Sequence, residues 1–477
     1  MLGKFLPSSV AACLNRARQF FMSNSAVVWR SGGVLGIVIL CAACMVYYHL
    51  VLFVPRVSQV RTSEGFGNGY SFGADFYPIW LTAREGLLHH RDPYSPQTTR
   101  QVQIDLFGRT VDARVFGAPP EYWTFAYPAI ADVLFWPIAL LPFSLARIGF
   151  GLFLGILTAF NVVLWIRVVH PRAGPLTVAS LVILALSSYA VLEGFFAEQM
   201  GLLVGFLLAA SLAAIVRQKF FFAGSLLALA LLKPQVMFLI ATYLLLWSTA
   251  RWRSRWRFAG GFFLMGSLLG ASSLLIWPHW ISEWLRVVSS YRRYSDPPLV
   301  GHLLGNQMLG NQAGRLLGPI FITAILVSAF ALSWQMRFAP ADSRDFRLTI
   351  SLLLALTTIA VVPAHAVYDH VVLLPGIILI ASCWRDFAPS KPFRVTLAAA
   401  ALALFWQWIC APVVVVLWPM ISRGFASTFL LTLPIRFAAS TPFGVCALLG
   451  LMLWRGHKRK LTLTEKAPIP KPEPITF

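Results

Sequence analysis

Acidic residues are scarce in this sequence. The 477 residues hold 18 Asp and Glu against 39 Lys and Arg, and charged residues make up 12% of the chain. A soluble domain carries about 25%, so a water-facing globular surface is excluded over most of the length. Cysteine is also sparse and badly placed for cross-linking. Cys41, Cys44, Cys383, Cys410 and Cys446 fall in apolar runs and Cys13 in a basic amino-terminal arm. With none in the long polar stretches, no disulfide framework is expected. Cys41 and Cys44 have CxxC spacing, but no second pair exists to complete a zinc site. P-loop, dinucleotide-binding and serine-hydrolase signatures are missing. The basic residues before the first apolar run are not followed by a small-residue cleavage site, so that run reads as an uncleaved anchor.

Apolar sequence fills the chain instead. Hydrophobic residues reach 58% and mean hydropathy is +0.71. Apolar runs of roughly 18 to 23 residues recur, the length that lets a helix cross a bilayer. The sequence therefore predicts an all-α polytopic membrane protein with about twelve transmembrane helices and a structured first outer loop. The net charge of +21 does not imply nucleic acid. Much of the Arg and Lys lies in short connections between apolar runs, where the positive-inside rule puts it.

Residues 1–32 read as a cytoplasmic basic arm and 33–54 as the first span, with Gly32 and Gly36 at the spacing of close helix contacts. Residues 55–144 form the first outer loop, long enough to carry structure. In it Tyr77, Trp80, Leu81, Arg84, Leu87 and Leu88 keep a helical period that ends at Arg91-Asp92-Pro93-Tyr94. The stretch 125–142 is apolar but broken by Pro128, Pro137 and Pro142, and it holds Asp132; it reads as re-entrant or interfacial. Residues 145–454 carry the other spans, expected near 145–168, 174–191, 199–216, 220–232, 235–250, 258–277, 317–337, 346–363, 368–384, 395–417 and 429–453. A second outer connection occupies 278–316, and 455–477 is a basic, then Pro-rich, cytoplasmic tail expected to be disordered. With 125–142 not spanning, Arg167/Arg172, Arg217/Lys219, Arg251 to Arg257, Arg337 to Arg347, Arg385 to Arg394 and Arg455 to Lys460 all fall on the cytoplasmic side. Asp75, Glu198, Lys233, Arg292, Arg293, two Gly-Asn-Gln triplets and the segment Pro363 to His370 then converge near the outer face.

These polar groups are the candidates for chemistry. Asp75 opens an amphipathic segment, either as a helix N-cap or as a general base at a membrane-surface cleft. Lys233, between Leu232 and Pro234, either binds an anionic headgroup or marks a turn between short spans. Glu198-Gln199 starts a span, where the helix dipole favours an acid. His365 and Asp369 lie four apart, on one face if helical. Arg292 and Arg293 suit phosphate, or are ordinary loop charges.

The order of short motifs resembles glycosyltransferase family 87, a bacterial branch of the GT-C membrane glycosyltransferases. The motifs are Asp75-Phe76-Tyr77 with Asp92-Pro93-Tyr94, then Phe125-Ala126-Tyr127-Pro128 with Leu141-Pro142, then Glu198-Gln199, Gly224 with Leu232-Lys233-Pro234, Gly305-Asn306-Gln307, and Pro363 through His370. The resemblance implies a GT-C-like fold in the bacterial inner membrane. It implies transfer of a hexose, mannose in the best-known members, from a polyprenyl-phosphate donor to a lipid or glycan acceptor on the periplasmic face. The transfer inverts the anomeric carbon, and by position Asp75 is the base. Lys233, with His365 or His370 and Arg292 or Arg293, offsets phosphate charge. Tyr77, Glu198, Gln199 and Asn306 complete the expected substrate contacts. No cofactor is expected, and no metal, because the aspartate pair of other GT-C branches is absent at Asp75. One departure stands out: Glu198-Gln199 replaces the Gly-Gln common in the family. Rival readings are a transporter or flippase, which would show inverted repeats that this sequence lacks, a surface-polysaccharide ligase or polymerase, whose large loop would come late, and an inactive scaffold.

Overall fold

Helices account for the regular structure of the described residues. The computed structural model describes residues 33–65, 67–111, 123–170, 173–294, 300–363, 366–387, 391–421 and 425–465; within them the side chains of 291–316, 384–387, 425–427 and 457–465 lie outside the description. The helices run in order as α1 (Gly33–Ser63), α2 (Tyr77–His89), α3 (Pro96–Phe107), α4 (Ile130–Ala139), α5 (Phe143–Val169), α6 (Pro175–Leu186), α7 (Tyr189–Phe196), α8 (Met200–Val216) and α9 (Phe220–Leu232). Then come α10 (Pro234–Ala250), α11 (Trp252–Ile276), α12 (Trp280–Tyr294), α13 (Val300–Gln335) and α14 (Arg344–Ala360). A 3-10 stretch, Val367–Leu373, leads into α15 (Leu374–Phe387), followed by α16 (Lys391–Leu417), α17 (Phe425–Thr432) and α18 (Thr441–Glu465).

Six helical stretches of the described residues are long and apolar enough to cross a membrane, or seven if α6 and α7, bent by 55° at their break, count as one. The chain is thus a multi-pass membrane protein by length and composition. The count falls below the expected twelve because α8, α10 and α14 have 17 residues each, α9 and α15 are shorter still, and α6 and α7 are split. At 1.5 Å per residue the first three reach about 25 Å, short of a hydrocarbon core of about 30 Å. The run 125–142 yields only the ten-residue α4, about 15 Å long.

Three expected boundaries move. The first helix does not stop at residue 54; it widens into a π turn at Tyr48–Phe53 and continues to Ser63. The connection 278–316 is helical at Trp280–Tyr294 and again from Val300 onward, so both Gly-Asn-Gln triplets lie inside α13. The tail begins as helix, because α18 runs through the basic cluster to Glu465. In each case flanking helical sequence carries on through residues of weaker propensity.

The outer loop is a folded layer. Pro78 sits in the first turn of α2, where its missing N–H is not needed. Ile79, Trp80 and Ala83 bury one face, and His90 ends the helix in the left-handed region at φ 52°. Thr82 Oγ1 of α2 donates to Asp132 of α4 at 2.7 Å, and Arg84 donates to the Ala139 carbonyl at 2.9 Å. Ser95 caps α3 by accepting from the Thr98 amide. Tyr94 OH donates to the Tyr127 carbonyl at 2.8 Å, which ties the Asp92-Pro93-Tyr94 motif to Tyr127-Pro128.

Beneath that layer, α9 and α11 touch backbone to backbone. A Cβ on Gly224 would come within 2.0 Å of the Phe258 carbonyl oxygen, and one on Gly261 within 2.0 Å of the Phe221 oxygen. The bundle has two unlike ends. At one end α5 and α10 finish, α11 and α14 begin, and arginines gather. Arg255 donates to the carbonyls of Trp247, Arg337 and Ala339, and Arg347 to that of Val168. At the other end α8 and α10 begin, α9 finishes, and the loop bearing Asp75 lies across them.

Candidate active site

Asp75 lies in the turn before α2. Its expected role as N-cap is not what the structure shows. The cap position is Phe76, with no side-chain cap bond. The carboxylate turns away from α2 and accepts a hydrogen bond from Gln199 Nε2 at the start of α8. The backbone holds the same approach. Gly73 N donates to the Phe196 carbonyl at 2.9 Å and Asp75 N to the Ala197 carbonyl at 3.2 Å. Gly73 adopts φ +75°, and a Cβ there would sit 3.1 Å from Glu198 Oε2, so a side chain would both strain the turn and crowd the carboxylate.

Gln199 connects Asp75 to the membrane-buried charges. Its Oε1 accepts from Lys233 Nζ at 3.3 Å and lies 3.4 Å from Tyr127 OH. Lys233 sits where Pro234 separates α9 from α10, and its Nζ reaches Asp369 Oδ1 at 2.6 Å. The ammonium also lies 4.6 Å from the centre of the Tyr368 ring. Lys233 is 4% exposed and Asp369 fully buried. Asp369 can approach because α8 carries glycine at position 201: a Cβ there would be 2.2 Å from Asp369 Oδ1. Four segments far apart in sequence thus form one line, Asp75–Gln199–Lys233–Asp369.

The electrostatics of the line fit a base at its end. Asp75 is half-buried. Desolvation pushes its carboxyl up to about 6, with Glu193 adding to the rise, while the Gln199 hydrogen bond and the Lys233 cation pull the other way. A carboxylate poised there is ionised at neutral pH and still basic enough to take a proton.

Glu198 is next to this line but apart from it. It occupies the turn between α7 and α8 at φ 56°, a conformation that suits glycine. Glu198 therefore keeps a glycine-like backbone while carrying an acid. Both carboxylate oxygens are buried with no hydrogen-bond partner among the described residues. Burial pushes the group up to about 8, against the pull of Arg147. Arg147, near the start of α5, lies over the rings of Phe72 and Phe143 at 5.7 and 5.8 Å, and its Nε has no partner among the described residues.

Other expected contacts fall elsewhere. Tyr77 OH donates to Asp105 of α3, away from Asp75. His370 lies beside the Ala438 backbone, and its Nε2 is buried with no hydrogen-bond partner among the described residues. His365 lies outside the described residues. Arg292 lies on α12 with Arg293, and Asn306 on α13, but their side chains lie outside the description. Among the described residues no group of three His, Cys, Asp or Glu side chains has the placement to hold a metal ion.

The structure also adds groups that sequence reasoning passed over. His49 of α1 and Glu193 of α7 pair at 2.9 Å, and Tyr70 OH bonds both Glu193 oxygens at 3.1 and 2.9 Å. A signal existed: both His49 and Glu193 interrupt apolar runs, where an ionisable residue costs free energy and usually has a function.

The sequence model of glycosyltransferase family 87 matches residues 125–363, just over half of the chain. The matched stretch contains Glu198, Gln199 and Lys233; it begins after Asp75 and ends before Asp369. Neither curated proteins nor solved structures gave a match.

Proposed function

The chain belongs to glycosyltransferase family 87, and from that premise we propose that it moves a hexose, mannose, from a polyprenyl-phosphate donor to a lipid or glycan acceptor. In this reading Asp75 takes the proton of the acceptor hydroxyl. The freed oxygen attacks the anomeric carbon from the side opposite the phosphate, the carbon–oxygen bond to phosphate breaks, and polyprenyl phosphate leaves with the bonding electrons. The configuration inverts. No cofactor or metal takes part.

The observation that carries this reading is the Asp75 carboxylate, raised to about 6 and fixed by Gln199 at the head of a buried ion pair. A base held in one orientation lowers the entropic part of the barrier, and a dry site strengthens each charge interaction. Lys233 serves this arrangement through Gln199, because Asp369 already balances its charge. Offsetting the phosphate falls to Arg147, whose Nε is uncommitted, with His365, Arg292 and Arg293 as further candidates. The basic end of the bundle is assigned to the cytoplasm by the positive-inside rule. That puts Asp75 on the periplasmic side of the inner membrane, both termini inside, and makes the shorter apolar helices part of a bundle of about twelve spans.

The donor class is tested by supplying purified protein in lipid vesicles with radiolabelled polyprenyl-phosphate mannose or with GDP-mannose, together with extracted membrane lipids and glycans. The expected result is transfer from the polyprenyl donor alone, with the product of opposite anomeric configuration to the donor. Transfer from the nucleotide sugar alone would overturn the donor assignment, and retention would overturn the single-displacement mechanism.

A further inference from the structure

We infer that Glu193 is a positioning residue, which fixes the loop bearing Asp75 by being clamped between His49 of α1 and Tyr70. The inference rests on the reading of Asp75 as the base. Its geometry runs in register along the end of α7. Tyr70 bonds Glu193, Gly73 bonds the Phe196 carbonyl, Asp75 bonds the Ala197 carbonyl through its amide, and Gln199 bonds the Asp75 carboxylate. The loop therefore lies alongside residues 193–199 like a strap with four attachments. Among the described residues Glu193 is the anchor hydrogen-bonded to the first membrane helix, through His49 Nε2 at 2.9 Å.

The first helix is shaped for this contact. His49 lies in the π turn Tyr48–Phe53 and is fully buried. A π turn inserts an extra residue and re-aims side chains, and it recurs where a helix bears a functional group. His49 packs edge-on to Tyr189 and Phe196, and Tyr70 lies 5.2 Å from Phe196. The cluster is thus closed by aromatic rings, and among the described residues Glu193 is the acid bonded to His49 and Tyr70. The charged and titratable groups around Glu193 are His49, Tyr48, Tyr70 and Tyr189. Those that act on Asp75 are Lys233, from the start of α10, and Glu193, from α7. Lys233 is balanced by Asp369, so Glu193 gives the base a negative neighbour that works against its ionisation.

The clamp is tested in the full-length protein with Tyr70→Phe and Glu193→Gln, beside Asp75→Asn. Tyr70→Phe keeps the ring against Phe196 and removes only the hydroxyl, so it stays informative where Glu193→Gln loses its fold. The readout independent of turnover is amide hydrogen exchange at Gly73 and Asp75. Loosening the strap should speed exchange at both by at least about tenfold, and mannose transfer should fall by about tenfold. In Glu193→Gln the acidic limb of the pH–rate profile should also move to lower pH, because the charge that raised the base is gone; a purely structural role would leave the limb in place. Exchange and limb both unchanged in the variants would overturn the inference. Faster exchange in the clamp variants with undiminished transfer by Asp75→Asn would keep the clamp and remove Asp75 as the base.

Discussion

The two ends of the bundle hold their buried charges in opposite ways. At the basic end Arg255 and Arg347 donate to main-chain carbonyls of Trp247, Arg337, Ala339 and Val168. Those carbonyls lie at or just past helix C-termini, where acceptors are left over and the dipole favours a cation. Each arginine completes a structural need, and Arg255 also lies 3.7 Å from the Trp247 ring centre. At the other end the bonds run side chain to side chain, through Asp75, Gln199, Lys233 and Asp369. There buried acceptors remain unused among the described residues, at Asp369 Oδ2 and on both oxygens of Glu198. The arginines close helix ends, though Arg347 Nε keeps no partner among the described residues; the acidic end keeps unused carboxylate oxygens, the capacity that the proposed function calls on.

This contrast is sharpest at Lys233. Lys233→Met leaves Asp369 fully buried without its cation. Breaking a buried pair from one side costs about 3–5 kcal/mol, so melting in detergent should show a large loss. Adding Asp369→Asn should recover part of it. Recovery by the second change would be absent if the pair were incidental.

A smaller effect is expected from Gly201→Ala. The new Cβ would lie 2.2 Å from Asp369 Oδ1, so the carboxylate must shift and draw Lys233 from Gln199. Overpacking of this kind costs about 1–3 kcal/mol, and transfer should fall about tenfold in a protein that still folds. Wild-type transfer by this variant would separate Asp369 from the working site.

The smallest effect on chemistry belongs to the basic end. Arg255→Met loses three hydrogen bonds from a charged donor to carbonyls, each worth about 1.5–3 kcal/mol at most. Melting should fall about as far as in Lys233→Met, while turnover per folded molecule stays at the wild-type level. A drop in turnover with unchanged melting would contradict the division between the two ends.

Much of this was legible in the sequence, and the reasons for the rest are physical. Asp75, Gln199 and Lys233 stood out because polar residues at the edges of apolar runs are conspicuous. Their alignment was not legible, since it depends on how α7, α8 and α10 cross. Asp369 sits in the 3-10 stretch 367–373 and pairs with Lys233, a contact that sequence spacing does not reveal, while His365, expected on the same helical face, lies outside the described residues. Tyr77 is a substrate contact only by the resemblance; its hydroxyl, in the first turn of α2, bonds Asp105, a partner that the sequence does not reveal. The bound on α1 was missed because the polar residues 54–63 lower its hydropathy without ending the helix. His49 and Glu193 were hidden by their apolar neighbours, although such neighbours are what make a charged residue informative.

Asp75 is the proposed base, and one variant isolates that role. Asp75→Asn keeps the shape of the side chain and an oxygen to accept from Gln199, but removes the base. Wild-type transfer should decline as pH falls through about 6, where Asp75 takes up a proton, and the Asn variant should transfer at least about a hundredfold more slowly at neutral pH and above. Its stability should move the other way. A carboxyl raised on folding destabilises the folded state once ionised, so the penalty is absent at low pH and grows as pH rises from the unfolded value of 3.8 through about 6. Above pH 6 the Asn variant should therefore melt at or above the wild-type temperature. Slow transfer with undiminished melting is the expected result; transfer at the wild-type rate would remove Asp75 as the base.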